Sequence, residues 1–183
     1  MLYLISGASR AGKTLLAQKL AKQEGLSYFS LDWLVMGFTN GMPEHGIHHL
    51  LFPDEIAIRT WPFLKAMFNS MIWGEEDYII EGEAILPELI ATLLKEHPGK
   101  VKVCFLGFAD IDGKQKIQDI KTHRHKKDWL VEKSDAYILD HINNMVAHSV
   151  MIKQSCAQHD LPYFDTSEDF PATMEQAMAY LVQ

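Results

Sequence analysis

The sequence has 183 residues, 48% of them hydrophobic, and a formal net charge of −7. That length suits one domain with a substantial core, and that hydrophobic content excludes a disordered chain. The acidic balance excludes a non-specific nucleic-acid binder, so an anionic ligand must be held by a local cationic site.

The chain opens on an apolar run over 2–6, read as a buried strand. It leads into Gly7-Ala8-Ser9-Arg10-Ala11-Gly12-Lys13-Thr14, which fits the pattern G-x-x-x-x-G-K-[ST] of a phosphate-binding loop. Gly7 and Gly12 let the backbone bend so that successive amides face a phosphate, beside the positive end of a helix over 13–24. Lys13 supplies a point charge for the outer phosphates and is expected on the ligand rather than in the core. Thr14 supplies a hydroxyl ligand for Mg²⁺. The nucleotide site is thus expected over Gly7, Ala8, Ser9, Arg10, Ala11, Gly12, Lys13, Thr14 and Leu15. The alternative is a glycine-rich turn with a solvated lysine.

Gly25 stands where a left-handed helix end is wanted, and 27–31 reads as a second strand ending at Asp32. In 33–74, Gly37, Gly41, Pro43 and Gly46 are expected to break the chain early. Asp54 can cap a helix over about 55–72, which Pro62 would kink or divide. Strand three is expected over 77–81, a helix over 87–96 and strand four over 101–108. A polar, basic stretch follows from Asp110 to Ser134. Ser134 can cap a long helix to about His159, 161–164 is strand five ending at Asp165, and Pro171 opens the last helix. Strands alternating with helices predict an α/β fold with a parallel sheet in a single domain over 1–183. Ligands of such sheets bind beyond the strands' carboxyl ends, where Gly7, Asp32, Glu81 and Asp165 all fall.

Asp32 and Glu81 are the first candidates for chemistry. A strand-end carboxylate beside a phosphate loop can hold Mg²⁺ through water or accept a proton from an attacking hydroxyl. For Asp32 the alternative is a helix cap or turn residue. Glu81 closes an apolar strand as the acidic residue of a Walker B strand does, Gly82 would let substrate approach the backbone, and Glu83 is a weaker candidate. Only three basic residues are arginine: Arg10, Arg59 and Arg124. Guanidinium forks suit phosphate or carboxylate, although a surface ion pair is the alternative for each. His45, His48 and His49 could touch substrate from their loop; Pro43 and Gly46 argue against a helical metal site there. Trp33, Phe38, Trp61, Phe63 and Phe68 read as packing for the 33–77 insertion. Cys104 and Cys156 show neither disulfide nor zinc spacing, which suits a reducing cytosol. The opening strand leaves no room for a leader, and no apolar run has membrane-spanning length. A cytoplasmic protein without membrane or nucleic-acid partners is expected.

With these residues in place, the chain resembles the P-loop small-molecule kinases related to nucleoside monophosphate kinases over nearly its whole length. The resemblance implies a three-layer fold with a five-stranded parallel sheet of order 2-3-1-4-5 and helices on both faces. It implies that 33–77 binds the phosphoryl acceptor, that 110–134 is a lid carrying Arg124, and that a loop after Asp165-Thr166-Ser167 holds adenine. The stretches Ile80-Glu81-Gly82-Glu83-Ala84-Ile85-Leu86-Pro87 and Tyr163-Phe164-Asp165-Thr166-Ser167 look most like proteins similar to 2-phosphoglycerate kinases. Two departures from the nucleotide-kinase pattern disfavour a nucleoside monophosphate acceptor: Gly82 replaces the arginine of an Asp-Arg or Glu-Arg pair, and the lid has one arginine.

The expected activity is γ-phosphoryl transfer from Mg·ATP to a small acceptor by a monomer or homodimer. Lys13, Asp32 and Arg124 are the catalytic candidates, Asp32, Arg59, Glu81 and Gly82 the acceptor-binding ones, and Thr14 and Glu81 the metal ligands. A nucleotide-binding switch or sensor and an NTP hydrolase coupled to a partner are the alternatives; the lack of a coupling module favours transfer. No Asn-Lys-x-Asp stretch is present, so ATP is expected rather than GTP.

Overall fold

The structure, a computed structural model, describes residues 1–111, 117 and 133–183. The lid candidate Arg124 lies outside the described residues. The described strands are β1 (Leu2–Gly7), β2 (Ser27–Ser30), β3 (Tyr78–Glu81), β4 (Val101–Gly107) and β5 (Tyr163–Asp165). The helices are α1 (Lys13–Glu24), α2 (Leu31–Gly41), α3 (Pro53–Trp73), α4 (Pro87–Glu96), α5 (Asp135–His159) and α6 (Phe170–Val182). All strand pairs are parallel and the order is β2-β3-β1-β4-β5, as expected.

Both sheet faces are covered, which is why the central strands are apolar at successive positions. Ile5, Ile79, Cys104 and Leu106 face one core with Leu16 and Leu20 of α1 and Met178 and Leu181 of α6. Leu4, Ile80, Val103 and Phe105 face the other, with Leu64 and Phe68 of α3 and Ile90 and Leu93 of α4. α5 serves both, placing Ile142 and Met145 in the first core and Ile152 in the second. Among the described residues no helix is long and apolar enough to cross a membrane.

The largest departure from the sequence reading is α2. β2 stops at Ser30, whose side chain accepts from Asp32 N and caps a helix that continues through Gly37 to Gly41. Burial of Leu31 and Val35 and the Ser30 cap outweigh the cost of glycine in a helix interior, about 1 kcal/mol. Asp32 therefore sits in the first turn of α2, and the cap is Ser30.

α3 begins at Pro53 with Phe52 as its cap residue, so Asp54 is a first-turn acid. Pro62 does not divide it. The proline lies on the exposed side, where water can take the carbonyl it leaves without a donor. β5 runs two residues later than expected at its start and includes Asp165. Trp33 is 70% exposed and meets the Phe29 ring edge-on at 6.4 Å, whereas Phe68 is fully buried.

Candidate functional site

The loop between β1 and α1 is shaped by contact with β4 as much as by any ligand. Gly7 has φ of 131°, and a Cβ there would stand 1.8 Å from the Leu106 carbonyl oxygen. The Ala8 amide donates to that same oxygen at 3.0 Å, and the Ala11 amide donates to Ala8 O at 3.3 Å. Ala8 and Ala11 amides are thus engaged within the protein. The groups able to meet a phosphate lie at the loop crown and in the first turn of α1, whose amides lack intrahelical acceptors. Arg10 holds a left-handed conformation at φ 59° in that crown, and Gly12 is left-handed beside the Phe170 ring.

Lys13 is buried in the ligand-free loop rather than solvated. Its ammonium donates to Ala8 O at 2.7 Å and lies 3.6 Å from Glu83 Oε1. Thr14, one residue on, donates to Glu81 Oε2 at 3.2 Å. Register explains this meeting: Glu81 ends β3 between Ile5 of β1 and Ser30 of β2, directly below the start of α1.

Glu81 is 1% exposed, and its Oε1 is buried without a hydrogen-bond partner. Burial pushes its carboxyl above the ordinary range. Hydrogen bonding from Ser30, the Lys13 charge and the Thr14 hydroxyl oppose that, while the Asp32 charge adds to it. Asp32 is open to solvent on one side, yet partial desolvation raises its carboxyl too. Lys13 opposes the rise and Glu83 adds to it. One ammonium therefore serves three carboxylates, those of Asp32, Glu81 and Glu83.

The oxygen donors fit Mg²⁺. This cation prefers one or two protein oxygens and fills its remaining positions with water and phosphate oxygens. Thr14 Oγ1 and the orphaned Glu81 Oε1 supply such a pair. Among the described residues no group of three or more His, Cys, Asp or Glu could hold a metal by itself, and that includes His45, His48 and His49. The His48 and His49 rings stack at 4.5 Å, and His45 sets its edge on Phe38.

Gly82 has φ of 155°, and a Cβ there would meet the Leu31 Cβ at 2.6 Å. Its amide donates to Ile5 O at 3.1 Å. Arg59 donates to Gly46 O at 2.8 Å and approaches Glu55 at 3.8 Å, so it braces the loop before α3. At the far strand end, Asp165 accepts from Ser167, and Thr166 Oγ1 donates to Gly107 O at 3.0 Å. Lys153 joins Asp165 to Asp110.

α5 contributes two residues that sequence reasoning passed over, His141 and His148. They are two turns apart and so share a face. The Arg10 and Glu83 charges act on His141, and those of Glu83, Lys13 and Asp54 act on His148. Burial lowers both imidazoles, His148 among them with Nε2 buried and unpartnered. The seven-residue interval beside the apolar stripe of Ile138, Ile142 and Met145 is the sequence signal that could have found them.

No protein-family model matches the chain, and no curated protein matches it in sequence. Solved structures do match in fold. A shikimate kinase from Bacteroides thetaiotaomicron is 16% identical with a TM-score of 0.59, covering 100% of this chain and 99% of its own. A gluconokinase from Sinorhizobium meliloti 1021 is 15% identical with a TM-score of 0.59, covering 98% and 90%. A deoxyadenosine kinase from M. mycoides, solved with dCMP and dCDP, is 14% identical with a TM-score of 0.52, covering 100% and 99%. The chain has the fold of these small-molecule kinases.

Proposed function

We propose that the chain transfers the γ-phosphoryl group of ATP to a hydroxyl of a small-molecule acceptor. The observation that carries this reading is the meeting of Lys13, the Thr14–Glu81 pair and Asp32 at the carboxyl ends of adjacent strands. The likeness to kinases of several acceptors supports it.

The loop crown, the first turn of α1 and Lys13 would hold the phosphates. Thr14 and Glu81 would hold Mg²⁺, which when bound spreads and neutralises phosphate charge. Lys13 would exchange Ala8 O for a phosphate oxygen. Asp32 would accept the proton of the acceptor hydroxyl as its oxygen bonds to the γ-phosphorus and the bond to the bridging oxygen of ADP breaks. Gly82, Arg59 and the segment around 33–77 would receive the acceptor. Arg124 is assigned to charge developing on the transferring group, on the strength of the resemblance alone.

A coupled assay of ADP release over sugars, glycerates, nucleosides, nucleotides and antibiotics tests the reading. Turnover that requires one acceptor class and is lost in Lys13→Ala is expected. Equal ADP release without acceptor would indicate a hydrolase, and tight ATP binding without release a switch.

A further inference from the structure

We propose that Glu83 is a positioning residue that limits the affinity for a nucleotide polyphosphate by competing for the Lys13 ammonium. The inference rests on the phosphate-loop part of the reading above. It adds a residue whose effect is a weaker hold on ADP, which favours release after transfer.

Glu83 is not a loose surface acid. The segment after β3 is tied to the end of β1 on both sides of it. Gly82 N donates to Ile5 O at 3.1 Å, and Ser6 Oγ donates to Ile85 O at 2.8 Å. Ala84 and Ile85 are buried in the core shared with α3 and α4. Ser6 and Gly7 close β1 and lead directly into the phosphate loop. The backbone at 83 is therefore fixed relative to that loop. Its side chain is 27% exposed and places Oε1 3.6 Å from Lys13 Nζ.

Lys13 brings one ammonium to this meeting, and one of its three protons goes to Ala8 O at 2.7 Å. The approach to Glu83 is longer than a hydrogen bond, so the carboxylate acts on the ammonium through charge. Lys13 is buried, and that charge is screened less than it would be on an open surface. Glu81 is engaged differently, by the Thr14 hydroxyl. A phosphate oxygen reaching Lys13 meets the ammonium that Glu83 already offsets, and carries the sign of charge that Glu83 carries. Whatever Lys13 gains from Glu83 is subtracted from what a phosphate gains from Lys13. Neutralising residue 83 therefore has two opposite effects. It removes a favourable pair from the ligand-free chain, and it strengthens nucleotide binding. A residue with only a packing role gives the first effect without the second.

The test is a double-mutant cycle read by calorimetric titration with Mg·ADP at fixed salt. The full chain is compared with Glu83→Gln, Lys13→Met and the double variant. Glu83→Gln is expected to bind Mg·ADP about fivefold or more tightly than the native chain, with a lower ligand-free Tm. On the Lys13→Met background the same change should move the affinity by less than about twofold, because the competition runs through the ammonium. Glu83→Asp keeps the charge but draws it back from Lys13, so it should bind with intermediate affinity. It replaces Glu83→Gln in the cycle if that variant does not fold. Unchanged or weaker Mg·ADP binding in Glu83→Gln overturns the inference. An equal gain with and without Lys13 also overturns it, since that is plain repulsion between Glu83 and the phosphates. No Mg·ADP binding by any of these chains ends the phosphate-loop reading itself, and the inference with it.

Discussion

The Thr14 hydroxyl donates to Glu81 Oε2 at 3.2 Å while Oε1 of the same carboxylate is buried with no partner. Glu81 is thus half satisfied by the protein, and its raised pKa has a defined sign. The folded state holds the proton more tightly than the unfolded chain does. Ligand-free stability therefore falls as pH rises from the ordinary carboxylate value through the raised folded value. Glu81→Gln should remove part of that slope and raise the neutral-pH Tm by about 2 °C or more, while lowering turnover about 10²-fold. Thermal denaturation without ligand across pH 4 to 8, set beside turnover, checks both halves.

Lys13→Ala should abolish transfer and also destabilise the ligand-free protein at neutral pH. The ammonium is buried on Ala8 O and opposes the raised pKa values of Asp32 and Glu81. The loss of stability should shrink in acid, as those carboxylates protonate. Equal destabilisation at pH 4 and pH 7.5 would remove the electrostatic part of this account.

Asp32→Asn should lower kcat about 10²-fold or more with ATP affinity largely kept. The raised carboxyl places the acid limb of the native kcat profile above the ordinary aspartate range, since the base must be ionised. In the Asn variant that limb should vanish. A lower Tm with normal kcat would make Asp32 a structural residue of α2.

Gly7→Ala should cost on the order of 3 kcal/mol or more, because the left-handed φ and the overlap with Leu106 O act together. Urea denaturation of the ligand-free protein measures it. Gly25→Ala is the control: its φ is 67° and a Cβ there meets nothing, so only the backbone contribution remains, about 1 kcal/mol.

Arg124→Ala should lower kcat about 10²-fold with a smaller change in nucleotide affinity, and Arg124→Lys should recover only part. Near-normal kcat in both variants would transfer the proposed role to Lys126 or Lys127, or end it.

The strands were legible because a sheet covered on both faces leaves near-continuous apolar runs, as Leu2 to Ile5 and Val101 to Leu106 show. The motif placed Lys13 and Thr14, and the apolar strand before it placed Glu81. The Thr14–Glu81 and Lys13–Glu83 distances depend on register between strands far apart in sequence. α2 was hidden because Gly37 and Gly41 read as breakers, whereas the Ser30 cap and burial of Leu31 and Val35 are context. His148 was hidden for a different reason. A histidine on an amphipathic helix has no local mark separating a solvated ring from one whose Nε2 is buried, and only tertiary packing distinguishes them. The narrower resemblance to 2-phosphoglycerate kinases rests on motif residues alone.

Gly82 and Leu31 together form a spacer gauge. Leu31 opens α2 and immediately precedes Asp32, Gly82 immediately follows Glu81, and no room for a methyl group separates the two. The gap between the Glu81 and Asp32 carboxylates is therefore set by the thickness of a bare backbone. A methyl at 82 would wedge α2 outward and carry Asp32 with it, changing its spacing from Glu81 without altering either side chain.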